Sequence, residues 1–288
     1  MSPGPEEQHE IDSALREERE LVLSLGGYAL ELAGDVLVAN ERIPVPRFNF
    51  VQYVRLHRNR QSTFLERALD HYFQRALRPS IRVEHPVPDF LDGSLRRLGF
   101  RATPEPLSLL LRRRPARRRP AGATYDVRTA TADELPLLAS FWTGTTEREE
   151  FLRALAVALE HPNPEEGLVP GIALRDGSPA SAALLHTYRS CVGIHGVVTQ
   201  RSERGQGAAT ALVAGLLNDS HAREKAGPIA MWSDSPRLDR RLGDLGFEAV
   251  VRYSVYELPA DAELALPSAS PPAPPQWRPP RRRAETAA

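Results

Sequence analysis

The chain has 288 residues, 41% of them apolar, and carries 37 basic against 37 acidic side chains, for a formal net charge of zero. That length leaves room for two domains with real cores, and the charge balance sets up no global field that would select nucleic acid or a membrane. The single cysteine, Cys191, excludes internal disulfides and fits a reducing compartment; with no run of eighteen apolar residues and an acidic, polar start, a cytoplasmic protein is expected.

In chain order, residues 1–12 read as a frayed tail. Residues 13–25 follow as a short amphipathic helix with Leu15, Leu21, Leu23 and Leu25 apolar. Gly34 and Asp35 mark a turn, and residues 36–39 and 48–56 read as strands on β-branched and aromatic content. Residues 63–78 read as a helix with Phe64, Leu65, Ala68, Leu69, Tyr72 and Phe73 on its apolar side. Leu95, Leu98, Gly99 and Phe100 come next, then a strand ending near Leu111. Residues 112–120 hold six arginines and two prolines, the composition of an extended linker. Arg55, Arg58 and Arg60 form a charged turn, read as a solvated face rather than an anion site.

A second domain begins near Tyr125. Thr131 and Glu134 have capping-box spacing, and residues 147–159 read as a helix. Phe141 and Trp142 are candidates for an acceptor wall or for core. Residues 171–175, 180–188 and 191–199 read as successive strands, the first two joined at Asp176 and Gly177. Residues 229–232 and 252–258 read as two more. Beyond Leu266 the chain is rich in proline and arginine, and disorder is expected.

The chemistry concentrates at residues 193–223. A β-branched segment (Ile194, Val197, Val198, Thr199) leads through a polar turn into a helix marked by Ala209, Leu212, Val213, Leu216 and Leu217. At the junction lie Arg204, Gly205, Gln206, Gly207, Ala208 and Ala209. Glycines permit close approach, and the first amides of a helix lack internal partners, so a diphosphate is a fitting guest. A P-loop is excluded because no Gly-Lys-Ser/Thr ending occurs, and the third glycine of a dinucleotide fingerprint is missing.

This junction resembles the Arg/Gln-x-x-Gly-x-Gly/Ala motif of the GNAT acyltransferases, with Arg204, Gly207 and Ala209 in its defined positions. Leu242, Leu245, Gly246 and Phe247 resemble the family's Leu-Tyr-x-x-Leu-Gly-Phe segment. The likeness covers about residues 123–260. The spacing of Leu95, Leu98, Gly99 and Phe100 repeats that segment, which suggests a shortened, diverged copy in the N-terminal half, without glycine at its loop. The expected fold is therefore α/β (α+β), with two GNAT-like domains, each a mixed, mostly antiparallel sheet flanked by helices. Their expected boundaries are a tail at 1–19, a degenerate domain at 20–111, a linker at 112–122, an acyl-CoA-binding domain at 123–260 and a disordered tail at 261–288.

The resemblance implies acetyl-CoA or another acyl-CoA as co-substrate and direct attack by an amine on the thioester. It assigns the cofactor to Val197, Val198, Thr199, Arg204, Gly205, Gln206, Gly207, Ala208, Ala209 and Ser235. The family's frequent general-acid tyrosine aligns with Leu242, which cannot donate a proton. Strand alternation places Cys191, Gly193, His195 and Val197 on one face, none of them a carboxylate, so His195 is the candidate base. An interior, hydrogen-bonded histidine is its structural alternative. Tyr253 is a catalytic candidate, with Tyr256 and Tyr188 behind it. Cys191 lacks an evident activating pair, and the scattered histidines show no metal-ligand spacing. The acceptor is expected to be a small amine, an amino acid or a peptide, with no membrane and no nucleic-acid partner. The rivals are a non-catalytic acyl-CoA-binding regulator and an arginine-rich scaffold.

Overall fold

The computed structural model describes residues 3–32, 35–52, 61–113, 125–136, 139, 148–160, 166–218 and 227–259. The expectations for Arg55, Arg58 and Arg60, for most of the arginine linker, for Phe141 and Trp142, and for the C-terminal tail lie outside these residues.

The chain opens with helix α1, Pro5–Ser24, so much of the stretch read as a frayed tail is helical. Pro5 sits in the first turn, where its missing N–H costs nothing, and Glu6 and Glu7 face the positive end of the dipole. Ile11, Ala14, Leu15, Leu21 and Val22 are buried at three- and four-residue steps, and that stripe holds the helix in place.

Twelve strands follow among the described residues: β1 Tyr28–Leu32, β2 Asp35–Ala39, β3 Phe50–Gln52, β4 Ser80–Glu84, β5 Arg101–Ala102, β6 Leu107–Arg112, β7 Asp126–Thr129, β8 Glu166–Arg175, β9 Ser178–Tyr188, β10 Cys191–Thr199, β11 Ile229–Ser233 and β12 Phe247–Glu257. The helices between them are α2 Gln61–Phe73, α3 Asp89–Arg97, α4 Arg148–Glu160, α5 Ala208–Asn218 and α6 Pro236–Gly243. The β8–β9 hairpin turns at Asp176 and Gly177, which take the left-handed backbone angles (φ 50° and 75°) that such a turn needs.

The sheet is mixed and mostly antiparallel, and the strands of both halves join into one. Their order is β1-β2-β3-β4-β12-β6-β11-β10-β9-β8-β7, with β5 also paired to β12. Among the described residues two pairs are parallel, β3 with β4 and β10 with β11; α2 lies between the first pair in the chain and α5 between the second. At the centre the halves trade strands. β6, from the first half, pairs with β11 and β12; β12, from the second, pairs with β4 and β6.

Alternation decides which helix covers which face. On one face α1 and α4 pack on Val38, Phe50, Leu109, Leu111, Leu184, Cys191 and Ala230. On the other, α2 and α3 cover Leu37, Val51, Ile81 and Val83, while α5 and α6 cover Leu110, Leu185, Val192, Ile194 and Met231. Tyr72 is fully buried on α2, and its hydroxyl donates to the carbonyls of Val38 and Phe50. On the α1 face the first half reaches the second, because that helix runs from the first half onto β9 and β10.

Leu110 lies in the traded strand β6 and is 2% exposed. Leu110→Ala should cost about 2–5 kcal/mol in urea unfolding. A cost below about 1 kcal/mol would contradict a core continuous across the two halves.

Candidate functional site

The parallel strands β10 and β11 stay paired for only three residues: Val192 with Ile229, Gly193 with Ala230, and Ile194 with Met231. Beyond Ile194, β10 slips register against β9 between His195 and Val198, and Gly196 adopts φ 60°. That is a β-bulge, which bends a strand and frees it from one neighbour. It also corrects the alternation expected from sequence. Val197 does not share the face of His195 but packs with the α5-side cluster.

A cavity of about 640 Å³ opens at this split. Val197, Met231 and Leu238 reach it from the α5 and α6 side. Glu18, Leu21, Val22, Phe48, Phe151 and His195 reach it from the α1 side. Lining groups thus come from both faces of the sheet. The volume suits a small-molecule site.

The predicted loop follows β10. A short 3-10 turn, Arg201–Glu203, leads into Arg204, Gly205, Gln206 and Gly207, all exposed, and α5 starts at Ala208. Gly205 and Gly207 take φ 81° and 97°, the left-handed region that favours glycine, and a Cβ on Gly207 would meet nothing within 4 Å. The space beside that backbone is therefore open to a ligand, at the end of a helix whose first amides lack internal partners. Side chains brace the loop. Arg175 pairs with Glu203 (3.2 Å) and Gln206; Tyr125 donates to Glu203 (3.0 Å); Gln206 donates to the Ser202 carbonyl (2.7 Å). Arg204 Nε reaches the Thr199 carbonyl at 3.3 Å, and Ala208 is buried at the helix start with Ala209 beside it. Val198 and Thr199 pair with Ala182 and Ser181 of β9, and the Ser181 hydroxyl donates to the Val198 carbonyl at 2.7 Å.

On the α1 face the structure assembles a group that sequence spacing does not reveal. Glu17, fully buried on α1, accepts from His186 Nδ1 at 2.7 Å and from His195 Nε2 at 2.8 Å. Burial pushes the Glu17 carboxyl up, but the charge of His195 and the hydrogen bonds from both rings outweigh it and hold the group below its ordinary value of 4.5. Gly193 makes room: a Cβ there would collide with the Glu17 carboxylate and the His195 ring. The sequence does hold a signal for this partner. Ala14, Glu17 and Leu21 are spaced by three and four residues, so Glu17 rides the buried stripe of α1. The expectation that no metal-ligand set exists also changes, since Glu17, His186 and His195 bring ligand atoms within 4.8 Å of one another. Their contacts of 2.7–2.8 Å are hydrogen-bond lengths between the ligand atoms themselves.

Further along the cavity, Arg82 is buried and donates to Glu18 at 2.7 and 2.8 Å, with its guanidinium 3.8 Å above the Phe50 ring. Arg47 makes no hydrogen bond or ion pair among the described residues. It is exposed at the cavity edge, near Glu18 and Arg82.

Other candidates are placed elsewhere. Ser235 caps α6 by accepting from the Leu238 amide at 3.4 Å; its neighbours Ser233 and Asp234 line the cavity instead. Tyr253 is 2% exposed, its ring against Trp232 at 5.8 Å, and does not line the cavity. Tyr256 donates to Asp92 at 2.7 Å on the far face. Leu242 is fully buried in the α5–α6 cluster. Burial pushes the Cys191 thiol far above its usual range, so it is no nucleophile.

Residues 132–237 match the acetyltransferase (GNAT) family, and they span β8 to β11 with the glycine loop and the split. This stretch is a GNAT domain. The whole chain is similar in fold to a GCN5-related N-acetyltransferase from Kribbella flavida, at 17% identity and TM-score 0.60, covering 85% of this chain and 95% of that one. It is similar to a functionally unknown conserved protein from Staphylococcus epidermidis, at 12% identity and TM-score 0.60, covering 81% and 94%. It is also similar to a tandem GNAT protein from the clavulanic acid biosynthesis pathway, at 11% identity and TM-score 0.54, covering 85% and 94%. No curated protein matches the chain. None of the described helices of the GNAT domain or its N-terminal partner is long and apolar enough to cross a membrane.

The lowered Glu17 gives a test of the buried cluster. Its stabilisation should be full above pH 4.5, the ordinary value, and be lost as pH falls through the lower native value. The stability gap between the unsubstituted protein and Glu17→Gln, read by urea unfolding, should therefore narrow from pH 7 to acid. A gap constant with pH would contradict an ionised, buried Glu17.

Proposed function

We propose that the protein is an N-acyltransferase that moves an acetyl or other acyl group from acyl-CoA to a primary amine. The observation that supports this most is the β10–β11 split, which opens a cavity through the sheet beside the glycine-bounded start of α5. The fit to acyl-CoA rests on residues of this chain. Backbone amides at Gly207, Ala208 and Ala209 meet the needs of a diphosphate, with Gly205 and Gln206 completing the turn and Arg204 beside it. Past the bulge, the Val197 backbone borders the cavity, where an N–H would stabilise charge growing on the carbonyl oxygen of the thioester.

The acceptor would enter from the α1 side, where His195 waits. His195 takes a proton from the acceptor ammonium. The freed nitrogen lone pair forms the N–C bond as the C–S bond breaks, and the second amine proton goes to the departing thiolate. Products are an amide and free thiol, with the first proton returned from His195 to solvent. The N-terminal half is proposed to be a diverged copy of the same fold, supported by its parallel β3–α2–β4 unit followed by α3 and strands. Two observations favour the rival of a non-catalytic acyl-CoA-binding regulator. Leu242 is buried where a donor would be wanted, and Tyr253 does not line the cavity.

Calorimetry with acetyl-CoA, followed by thiol release over a panel of amines, tests both. Binding with turnover is expected; binding without turnover supports the regulator, and no binding defeats both. Gly207→Val should weaken acetyl-CoA binding at least about tenfold, because its φ of 97° suits glycine and its open side would be filled. His195→Ala should lower turnover by about 10²–10⁴ with acetyl-CoA affinity kept.

A further inference from the structure

An ionised carboxylate only accepts hydrogen bonds, so both rings around Glu17 must present N–H to it: Nδ1–H of His186 and Nε2–H of His195. In the neutral ring each remaining nitrogen then carries a lone pair. The two histidines differ in where that lone pair sits. His186 is fully buried, and its Nε2 is sealed without a partner among the described residues. His195 lines the cavity, and its Nδ1 makes no hydrogen bond among the described residues. Glu17 therefore selects, of two buried histidines, the tautomer of the one that borders the cavity.

Resting on the acyl-transfer reading above, we infer that Glu17, delivered by the N-terminal helix α1, is the positioning residue that holds His195 with Nδ1 bare toward the acceptor. The base is thus split between the halves. The second half supplies the imidazole, and the first half supplies the carboxylate that fixes its tautomer and rotation. Glu17 receives both rings on Oε1, and its Oε2 lies 3.0 Å from His195 Nε2, so the carboxylate straddles the His195 nitrogen. Gly193 is the clearance that lets the carboxylate come so close. The groups around His195 are Glu17 and Glu18 on α1, His186 on β9 and Cys191 on β10, with Arg82 and Arg47 further along the cavity. None of these others contacts its ring nitrogens.

The test reads tautomer and turnover separately. In the ¹⁵N-labelled protein, long-range nitrogen–proton NMR should show His195 with Nε2 protonated and Nδ1 bare. In Glu17→Gln the amide can donate to Nε2 instead, so the Nδ1–H form should grow. Turnover should fall about 10- to 100-fold while the acetyl-CoA KM stays within about twofold. Glu17→Asp, which keeps the charge, should recover part of the loss. Three results would overturn the inference: Nδ1–H in the unsubstituted protein, a zinc ion found on His195 Nε2 by elemental analysis and NMR, or unchanged turnover in Glu17→Gln. Should that variant not fold, the unsubstituted tautomer and Glu17→Asp decide. Failure of the acyl-transfer reading shows up apart from these, as absent acetyl-CoA binding and thiol release in the unsubstituted protein whatever its tautomer.

Discussion

A parallel strand pair that holds for three residues and then parts governs this molecule. Within Val192–Ile194, backbone hydrogen bonds tie β10 to β11 and close the sheet. Past that point the bulge at Gly196 turns the next backbone groups away from their neighbour. Buried peptide groups demand partners, and a sheet that opens at its centre must offer them elsewhere or to a ligand. The opening is sustained because both sides are gripped: β11 by the traded strand β6, β10 by the long hairpin partner β9. Cavity, loop and histidine cluster all take their places from that separation.

Strand trading makes the N-terminal half more than an appendage. β6 sits between two strands of the second half, and α1 lays its apolar stripe over β9 and β10. Through α1 come Glu18, Leu21 and Val22, and from β4 comes Arg82, so one wall of the cavity belongs to the first half. Burying a Glu–Arg pair is weak evidence for stability, since desolvation offsets much of the attraction. Here Glu18 and Arg82 instead shape a wall whose remaining cation is Arg47.

Much of this was legible in the residues. The β-branched run at 194–199, the glycines at 205 and 207 and the apolar period after them specify strand, loop and helix, and the structure has all three. Strand 191–199 matches its expected bounds, and the Thr131–Glu134 capping contact forms at 2.8 Å. The face of Val197 was not legible, because a bulge shifts the period-two rule and leaves no mark beyond one glycine. Nor was the start of α1. Its polar first turns mask a stripe that becomes apolar only from Ile11 onward; Glu17 lies inside the expected helix, but its pairing with His186 and His195 is long-range and leaves no local mark. Trading of terminal strands is a matter of long-range pairing, which local pattern does not encode. Ser235, which the resemblance assigned to the cofactor, caps α6 in the structure, as suits a serine before a proline-led helix.

The central claim, that an acyl-CoA diphosphate rests on the backbone at the start of α5, is tested most directly by titrating acetyl-CoA into the ¹⁵N-labelled protein and following its amides. The account predicts the largest shifts at residues 205–210, with a second set at Gly196 and Val197. Amides there that stay fixed at saturating acetyl-CoA, or shifts gathered elsewhere on the molecule, would contradict it.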